Sequence, residues 1–176
     1  MNVSNLRKYY PINNGIFGKK TGEIKAVDGV SFDIRKGETF SIVGESGCGK
    51  STVGMSLLGL IQPTSGKILF KEKDIFTKNK KDMKEIRKNI QIIFQDTYSS
   101  LNPKHTIKKI IGEPLLINTK MSDSEIESRV IELLNLVGLS SQHLYRYPHE
   151  FSGGQRQRIG IARALALNPQ LIICDE

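Results

Sequence analysis

The sequence predicts an α/β fold in which a phosphate-binding loop joins an apolar strand to a helix, and three observations carry that prediction. The first is the stretch Gly44 to Thr52, Gly-Glu-Ser-Gly-Cys-Gly-Lys-Ser-Thr, which satisfies the pattern G-x-x-x-x-G-K-[ST] through Gly44, Gly49, Lys50 and Ser51. The second is its setting. An apolar run of strand length, residues 39–43, precedes it, and residues 53–60 read as a helix. The third is a pair of carboxylates, Asp175 and Glu176, placed directly after the apolar run 171–174. Acids at a strand's C-terminal end lie on the ligand-binding edge of a parallel sheet.

The chemistry of the loop follows from its residue types. Gly44, Gly47 and Gly49 let the backbone turn tightly, so that the amides of Gly44, Glu45, Ser46, Gly47, Cys48 and Gly49 can point inward at an anion. The opening turn of the next helix, with Ser51 and Thr52, adds unpaired N–H groups and the positive end of its dipole. Lys50 supplies a mobile charge for the β and γ phosphates of a nucleotide, and Ser51 a hydroxyl ligand for Mg²⁺. At the far end of the chain Asp175 is suited to the Mg²⁺ shell and Glu176 to polarising a water.

Bulk composition sets the outer limits. A chain of 176 residues is long enough for one domain with a sizeable core, and 38% hydrophobic with 25% charged residues describes a soluble globular protein. No run approaches the roughly 18 apolar residues that a membrane span needs, and no signal-peptide core opens the chain, so a cytosolic location is expected. The net charge is +8, from 26 Lys+Arg against 18 Asp+Glu. Part of that excess is local, in Lys78, Lys80, Lys81, Lys84, Arg87 and Lys88, which read as a solvated helix face. Neither cysteine has a partner at metal-site spacing. Cys48 reads as a small loop residue and Cys174 as a buried hydrophobe, both reduced.

Taken in order, residues 1–25 read as a strand and loop with an exposed cationic excursion around Gly18-Lys19-Lys20-Thr21-Gly22. Tyr10 stands before Pro11, where an aromatic ring could stack on adenine or simply pack. Residues 26–34 alternate as a strand with one buried face. Pro63-Thr64-Ser65-Gly66 is a turn and 67–70 a strand, followed by a basic helix over 82–89 and an apolar strand over 90–94. Gln95 ends that strand, where a side chain can reach a metal or water, or merely begin a loop. Residues 107–116 read as a helix interrupted before Pro114. The best-defined helix spans 122–137: Ser122 and Glu125 match a capping box, Ile126, Val130, Leu133, Leu134 and Val137 share a face, and Gly138 ends it. A second glycine motif, Phe151-Ser152-Gly153-Gly154-Gln155, precedes a buried helix over 156–167. Ser152 suits an N-cap, and the two glycines leave the helix start bare for a phosphate.

Together these residues resemble the ATP-binding subunit of an ABC transporter. The Walker A loop is Gly44 to Ser51, the glutamine loop Gln95, the signature motif Phe151 to Gln155, and the Walker B strand 171–175 with Glu176 after it. A narrower resemblance, to the second ATPase of oligopeptide/dipeptide importers, lies in residues 26–32, 43–49, 94–103 and 147–158. Thr97 departs from the usual proline and Phe151 from the usual leucine. The resemblance implies a P-loop NTPase (RecA-like) core with an antiparallel β subdomain and an inserted helical subdomain. On that reading residues 1–95 hold the β subdomain and phosphate-loop core, 96–150 the helical subdomain, and 151–176 the signature helix and Walker B strand of one incomplete domain.

It further implies ATP and Mg²⁺ as cofactors, with Ser51, Gln95 and Asp175 at the metal and Glu176 as general base. Tyr10 would stack on adenine. Ser152, Gly153, Gly154 and Gln155 would complete the site of a second ATPase subunit facing this one head to tail. Two membrane permeases and, indirectly, a peptide-binding protein would be the other partners, at the inner face of the membrane, with no nucleic acid. Family members continue beyond Glu176 with a further core strand and a switch histidine. A gap in the sheet, poor solubility and slow hydrolysis are therefore expected of the 176 residues alone. Two alternatives stay open: a soluble ABC ATPase acting on nucleic acid or ribosomes, and a non-hydrolysing nucleotide-binding fragment.

Overall fold

The computed structural model describes residues 1–14, 19–77, 79–96 and 100–175. These residues fall into two compact units, Met1–Ile86 and Arg87–Glu176.

In the first unit, β1 (Asn2–Asn14) and β2 (Lys19–Asp33) pair antiparallel along most of their length, from Asn2 opposite Asp33 to Asn14 opposite Lys19. The N-terminal excursion is thus largely two paired strands, with Lys19, Lys20, Thr21 and Gly22 inside β2; residues 15–18 lie outside the described residues. β3 (Ser65–Phe70) pairs with the other edge of β1, and β4 (Lys73–Asp74) with β3, giving the order β2-β1-β3-β4. Near Asn5, whose φ is 48°, the register of β1 shifts against both neighbours. Gly66 answers this bulge: its φ is 94°, and a Cβ there would collide with the Asn5 carbonyl.

Apolar positions of this sheet, Val3, Leu6, Val27, Ile68 and Phe70, are buried. Helix α1 (Lys50–Leu57) touches β2 and buries Val53 and Leu57. It begins three residues earlier than the apolar pattern suggests, because the Lys-Ser-Thr of the loop is already helical. Residues 39–43, expected as a strand, are not one. They have no ladder partner among the described residues, and Val43 is 91% exposed. An apolar run supplies strand propensity, but only a hydrogen-bonded neighbour makes a strand.

In the second unit, β5 (Ile90–Ile93) and β6 (Leu171–Cys174) pair parallel, with Ile90 opposite Leu171 and Ile93 opposite Cys174. Helices α3 (Ile107–Asn118), α4 (Asp123–Leu136) and α5 (Gly153–Leu165) enclose one core. Ile107, Ile111, Val130, Leu134 and Ile159 are all wholly buried there. Helix α4 is as the sequence reads it, with Ser122 as N-cap and a complete capping box to Glu125. Gly138, at φ 70°, follows its end.

Two expectations need correction. Helix α3 runs through Pro114 instead of breaking there. Asn118 Nδ2 donates to the Pro114 carbonyl at 2.9 Å, and the buried Ile107, Ile110, Ile111 and Leu115 hold both halves on one core. Core burial of that extent outweighs the one ladder bond a proline removes. Cys174 is exposed, not buried, and the other residues of β6 are half-buried, because a two-stranded sheet covers its strands only in part.

Helix α2 (Lys80–Asn89) crosses the point at which the units divide. Its acids Asp82 and Glu85 both accept from Lys73 Nζ, at 2.9 and 2.8 Å, while Lys80, Lys81, Lys84 and Arg87 are exposed. No helix among the described residues is long and apolar enough to cross a membrane.

Candidate functional site

The phosphate loop lies in the first unit and its conformation follows from its glycines. Gly47 and Gly49 have φ of 81° and 97°, in the left-handed region. At Gly49 a Cβ would in addition collide with the Ala26 carbonyl of β2, so the loop can lie this close to the sheet only with glycine there. A turn closes within the loop through Cys48 N donating to Glu45 O at 3.2 Å. Gly49 is then the N-cap of α1, with no side-chain cap bond, and Val53 N donates to its carbonyl at 3.0 Å. A helix start without a side-chain cap presents first-turn amides and the positive end of the dipole to an anion.

Lys50 is the first residue of α1. Its ammonium donates to the carbonyls of Gly44 at 2.8 Å and Glu45 at 2.9 Å and lies 4.0 Å from Cys48 Sγ. The positive charge is therefore held within the loop. Neutral carbonyl acceptors are weaker partners for an ammonium than phosphate oxygens, so these bonds can be exchanged for charge-assisted ones. Glu45, Ser46 and Cys48 are exposed along the loop, Ser51 is exposed, and Thr52 is half-buried in the first turn.

A cavity of about 540 Å³ adjoins the loop, lined among others by Val27, Asp28, Phe32, Phe40, Ile42, Cys48, Gly49 and Lys50. That volume is within the range of small-ligand sites. Phe32 and Phe40 stack with centroids 4.7 Å apart and planes at 12°, forming an apolar wall that motif reading passed over. The legible signal was two aromatics on either side of the turn at Lys36-Gly37-Glu38. Asp28, the acid in this wall, accepts from the Tyr9 hydroxyl and lies 3.3 Å from Lys25 Nζ and 3.7 Å from Arg7 Nε. The Tyr9 hydrogen bond first, then Lys25 and Arg7, hold its carboxyl below the usual aspartate range and keep it ionised, while the same bond raises the Tyr9 phenol.

Tyr10, expected at an adenine, pairs with Ile24 and is 38% exposed, with Lys8 Nζ 5.0 Å from its ring centroid. It does not line this cavity. Tyr9, its neighbour on the other face of β1, is the tyrosine bonded to a lining residue.

The remaining motif residues lie in the second unit. Ser152 caps α5: its Oγ accepts from Gln155 N at 3.3 Å, and Gln155 Oε1 accepts from Ser152 N at 3.0 Å. The serine hydroxyl proton stays available to a further acceptor. Buried Phe151 packs edge-on against His143 at 5.2 Å, and its carbonyl accepts from Arg156 Nη1 at 2.8 Å, which anchors the motif. Gly153 and Gly154 are exposed and helical, and a Cβ at either would meet nothing within 4 Å. Among the described residues, nothing within 4 Å of either position requires glycine there.

Gln95 is exposed just past β5, and Asp175 follows β6, its amide donating to the Ile93 carbonyl at 3.1 Å. These two therefore sit at the ends of paired parallel strands, whereas Ser51 belongs to the first unit. Glu176 lies outside the described residues, as do Thr97, Tyr98 and Ser99. The described residues contain no cluster of three or more His, Cys, Asp or Glu suited to a metal. Mg²⁺ needs none when phosphate and water fill most of its shell, and hydroxyl, amide and carboxylate oxygens are the donors it accepts.

Comparison with known proteins places this arrangement. The chain is 54% identical to the oligopeptide transport ATP-binding protein AppF of Bacillus subtilis (strain 168), over all of this chain and 54% of that protein. It is 49% identical to OppF of Lactococcus lactis subsp. lactis (strain IL1403), covering 55% of it, and 48% identical to the dipeptide transport protein DppF of Haemophilus influenzae, covering 54%. The chain thus spans about half the length of the curated relatives it matches. Among solved structures, a dimeric ATP-binding cassette in a post-hydrolysis state with ADP and Pi superposes with a TM-score of 0.85 at 31% identity, over 98% of this chain and 72% of that one. The model of the ABC transporter family matches residues 27–176, so this chain, with its phosphate loop, capped glycine motif and paired parallel strands, belongs to the ABC transporter family.

Proposed function

We propose that this chain provides the nucleotide-binding part of a subunit that binds and hydrolyses ATP to power oligopeptide or dipeptide import. The observation that carries the reading is the uncapped, glycine-built start of α1 with the Lys50 ammonium held inside its loop. Gly44 to Thr52 bind the phosphates of ATP through backbone amides and Lys50. The oxygen donors for Mg²⁺ in this reading are Ser51, Gln95 and Asp175. Bound Mg²⁺ supplies charge neutralisation at the phosphates. Glu176 and Gln95 orient the attacking water, Glu176 as its general base. Tyr10 is assigned to adenine from its place in the family pattern.

Ser152, Gly153, Gly154 and Gln155 act in trans, on the nucleotide of a second ATPase subunit. Gly153 and Gly154, which no contact among the described residues explains, are accounted for by a partner's phosphate approaching their backbone. Residues 1–95, 96–150 and 151–176 are read as β subdomain with phosphate-loop core, helical subdomain, and signature helix with Walker B strand. Peptide import is supported by the transport names of relatives at about half identity. Two permeases and a peptide-binding protein are the further partners, with the subunit on the inner face of the membrane. The test is sedimentation of the full-length chain carrying Glu176→Gln, mixed with its partner ATPase where the pair is heteromeric. ATP should produce a stable dimer, and Gly154→Asp should abolish it. ATP-bound monomers with Gly154 intact would overturn the trans role.

A further inference from the structure

Helix α2 carries more charge than its place in the fold uses. Its 10 residues include Lys80, Lys81, Lys84, Arg87 and Lys88. At about 3.6 residues per turn these cations fall within about 120° of the helix circumference. Ile86, the buried residue of the helix, lies about 160° from Lys84, so the cationic side faces away from the core. Lys80, Lys81, Lys84 and Arg87 are exposed and Lys88 is half-buried. The helix's own acids do not neutralise this row, because Asp82 and Glu85 point to its flank and both accept from Lys73 Nζ. None of the five cations has an acidic partner among the described residues. Lys80 with Lys84, and Lys84 with Lys88, are like charges four positions apart, which weaken a helix left in water. An anionic surface laid against the row reverses that repulsion.

The chemistry of the row selects among polyanions. Four of its members are lysines, compact ammonium charges, and only one is an arginine, whose planar fork reads single phosphates and base edges. The helix has no aromatic ring to stack on a base, and its outward face is convex, unlike a groove that tracks a nucleic-acid strand. A row of ammonium groups about 12 Å long matches instead a plane of anionic headgroups. We propose that this face of α2 lies against anionic lipid headgroups of the membrane that holds the transporter. The inference rests on the membrane-side placement proposed above and adds a surface by which the subunit itself attracts the bilayer.

The test is co-sedimentation of the full-length chain, without nucleotide, with vesicles of phosphatidylcholine alone or mixed with phosphatidylglycerol. Binding should need phosphatidylglycerol and be lost at high salt. Lys80→Gln/Lys81→Gln/Lys84→Gln should weaken it at least about tenfold, the summed effect of three surface charges. The same change of net charge made on other exposed lysines, Lys36→Gln/Lys104→Gln/Lys109→Gln, should weaken it by less than about twofold. Where the α2 variant lacks a cooperative melt, Lys84→Gln alone carries the comparison and should weaken binding about threefold. No binding by the unaltered protein, binding that ignores lipid charge, or equal losses in the two triple variants overturns the proposal. Vesicle binding unchanged in the α2 variant overturns it as well. The row then belongs to nucleic acid if capture of a single-stranded oligonucleotide is lost in that variant, or to an acidic protein face if co-purification with the permeases is lost. ATP titration of the unaltered protein keeps the two readings apart. A chain that binds vesicles through α2 but not ATP counts against the ATPase reading alone, and one that binds ATP but not vesicles counts against the lipid surface alone.

Discussion

Two pairs of glycines separate what a fold needs from what a ligand needs. Gly49 sits at φ 97° against the Ala26 carbonyl, so Gly49→Ala forces both left-handed strain and a collision. It should destabilise the full-length protein by about 2 kcal/mol or more and remove nucleotide binding, read by thermal melt and fluorescent-nucleotide titration. Gly153 is helical in open space. Gly153→Ala should leave the melt unchanged or raise stability by about 0.5 kcal/mol, since alanine is the better helix former, while weakening ATP-dependent pairing in sedimentation. Equal effects of the two substitutions on the melt would contradict this division of roles. Asp28 shows what motif reading misses. It lies in the 26–32 stretch of the family resemblance but carries no assigned chemical role there, yet Tyr9, Lys25 and Arg7 gather around its carboxylate beside the loop.

At the scale of elements, legibility followed how locally each element is determined. Helix α4 was readable almost to the residue because its cap, its apolar stripe and its terminating glycine are all encoded within 17 positions, Ser122 to Gly138. The cap of α5 was readable for the same reason, although the helix begins at Gly153, three residues before its apolar pattern. Residues 39–43 and the run through Pro114 were not, because pairing of a strand and tolerance of a proline depend on partners distant in sequence.

The cap of α4 also makes a pH prediction. Glu125 accepts from the Ser122 hydroxyl and amide, both at 2.7 Å, and the hydroxyl first, then the amide, hold its carboxyl below the ordinary 4.5. A depressed carboxyl stabilises fully above its unfolded value and loses that contribution as pH falls through the folded one. Ser122→Ala should therefore lower stability by about 1 kcal/mol at pH 7 in denaturant titrations of the full-length chain. The gap should narrow below the ordinary glutamate value, and a gap that is constant down to pH 2 would show that Glu125 takes no part.

For the whole molecule, the division at 86/87 puts the phosphate loop in one compact unit and the capped glycine motif with the Gln95 and Asp175 strand ends in the other. In the proposed function Glu176 is the general base and the glycine motif serves the nucleotide of a second subunit. Glu176→Gln should leave ATP affinity within about threefold while lowering turnover by at least about a hundredfold, because it removes a base and no phosphate contact. Rapid turnover in that variant would take the role from Glu176. The central claim is that amides at the start of α1 and the Lys50 ammonium hold a triphosphate. Its most direct test is calorimetric titration of ATP into the full-length protein and its Lys50→Ala variant. The account predicts a loss of affinity of at least tenfold, the worth of a charge-assisted contact; unchanged affinity in a folded variant would contradict it.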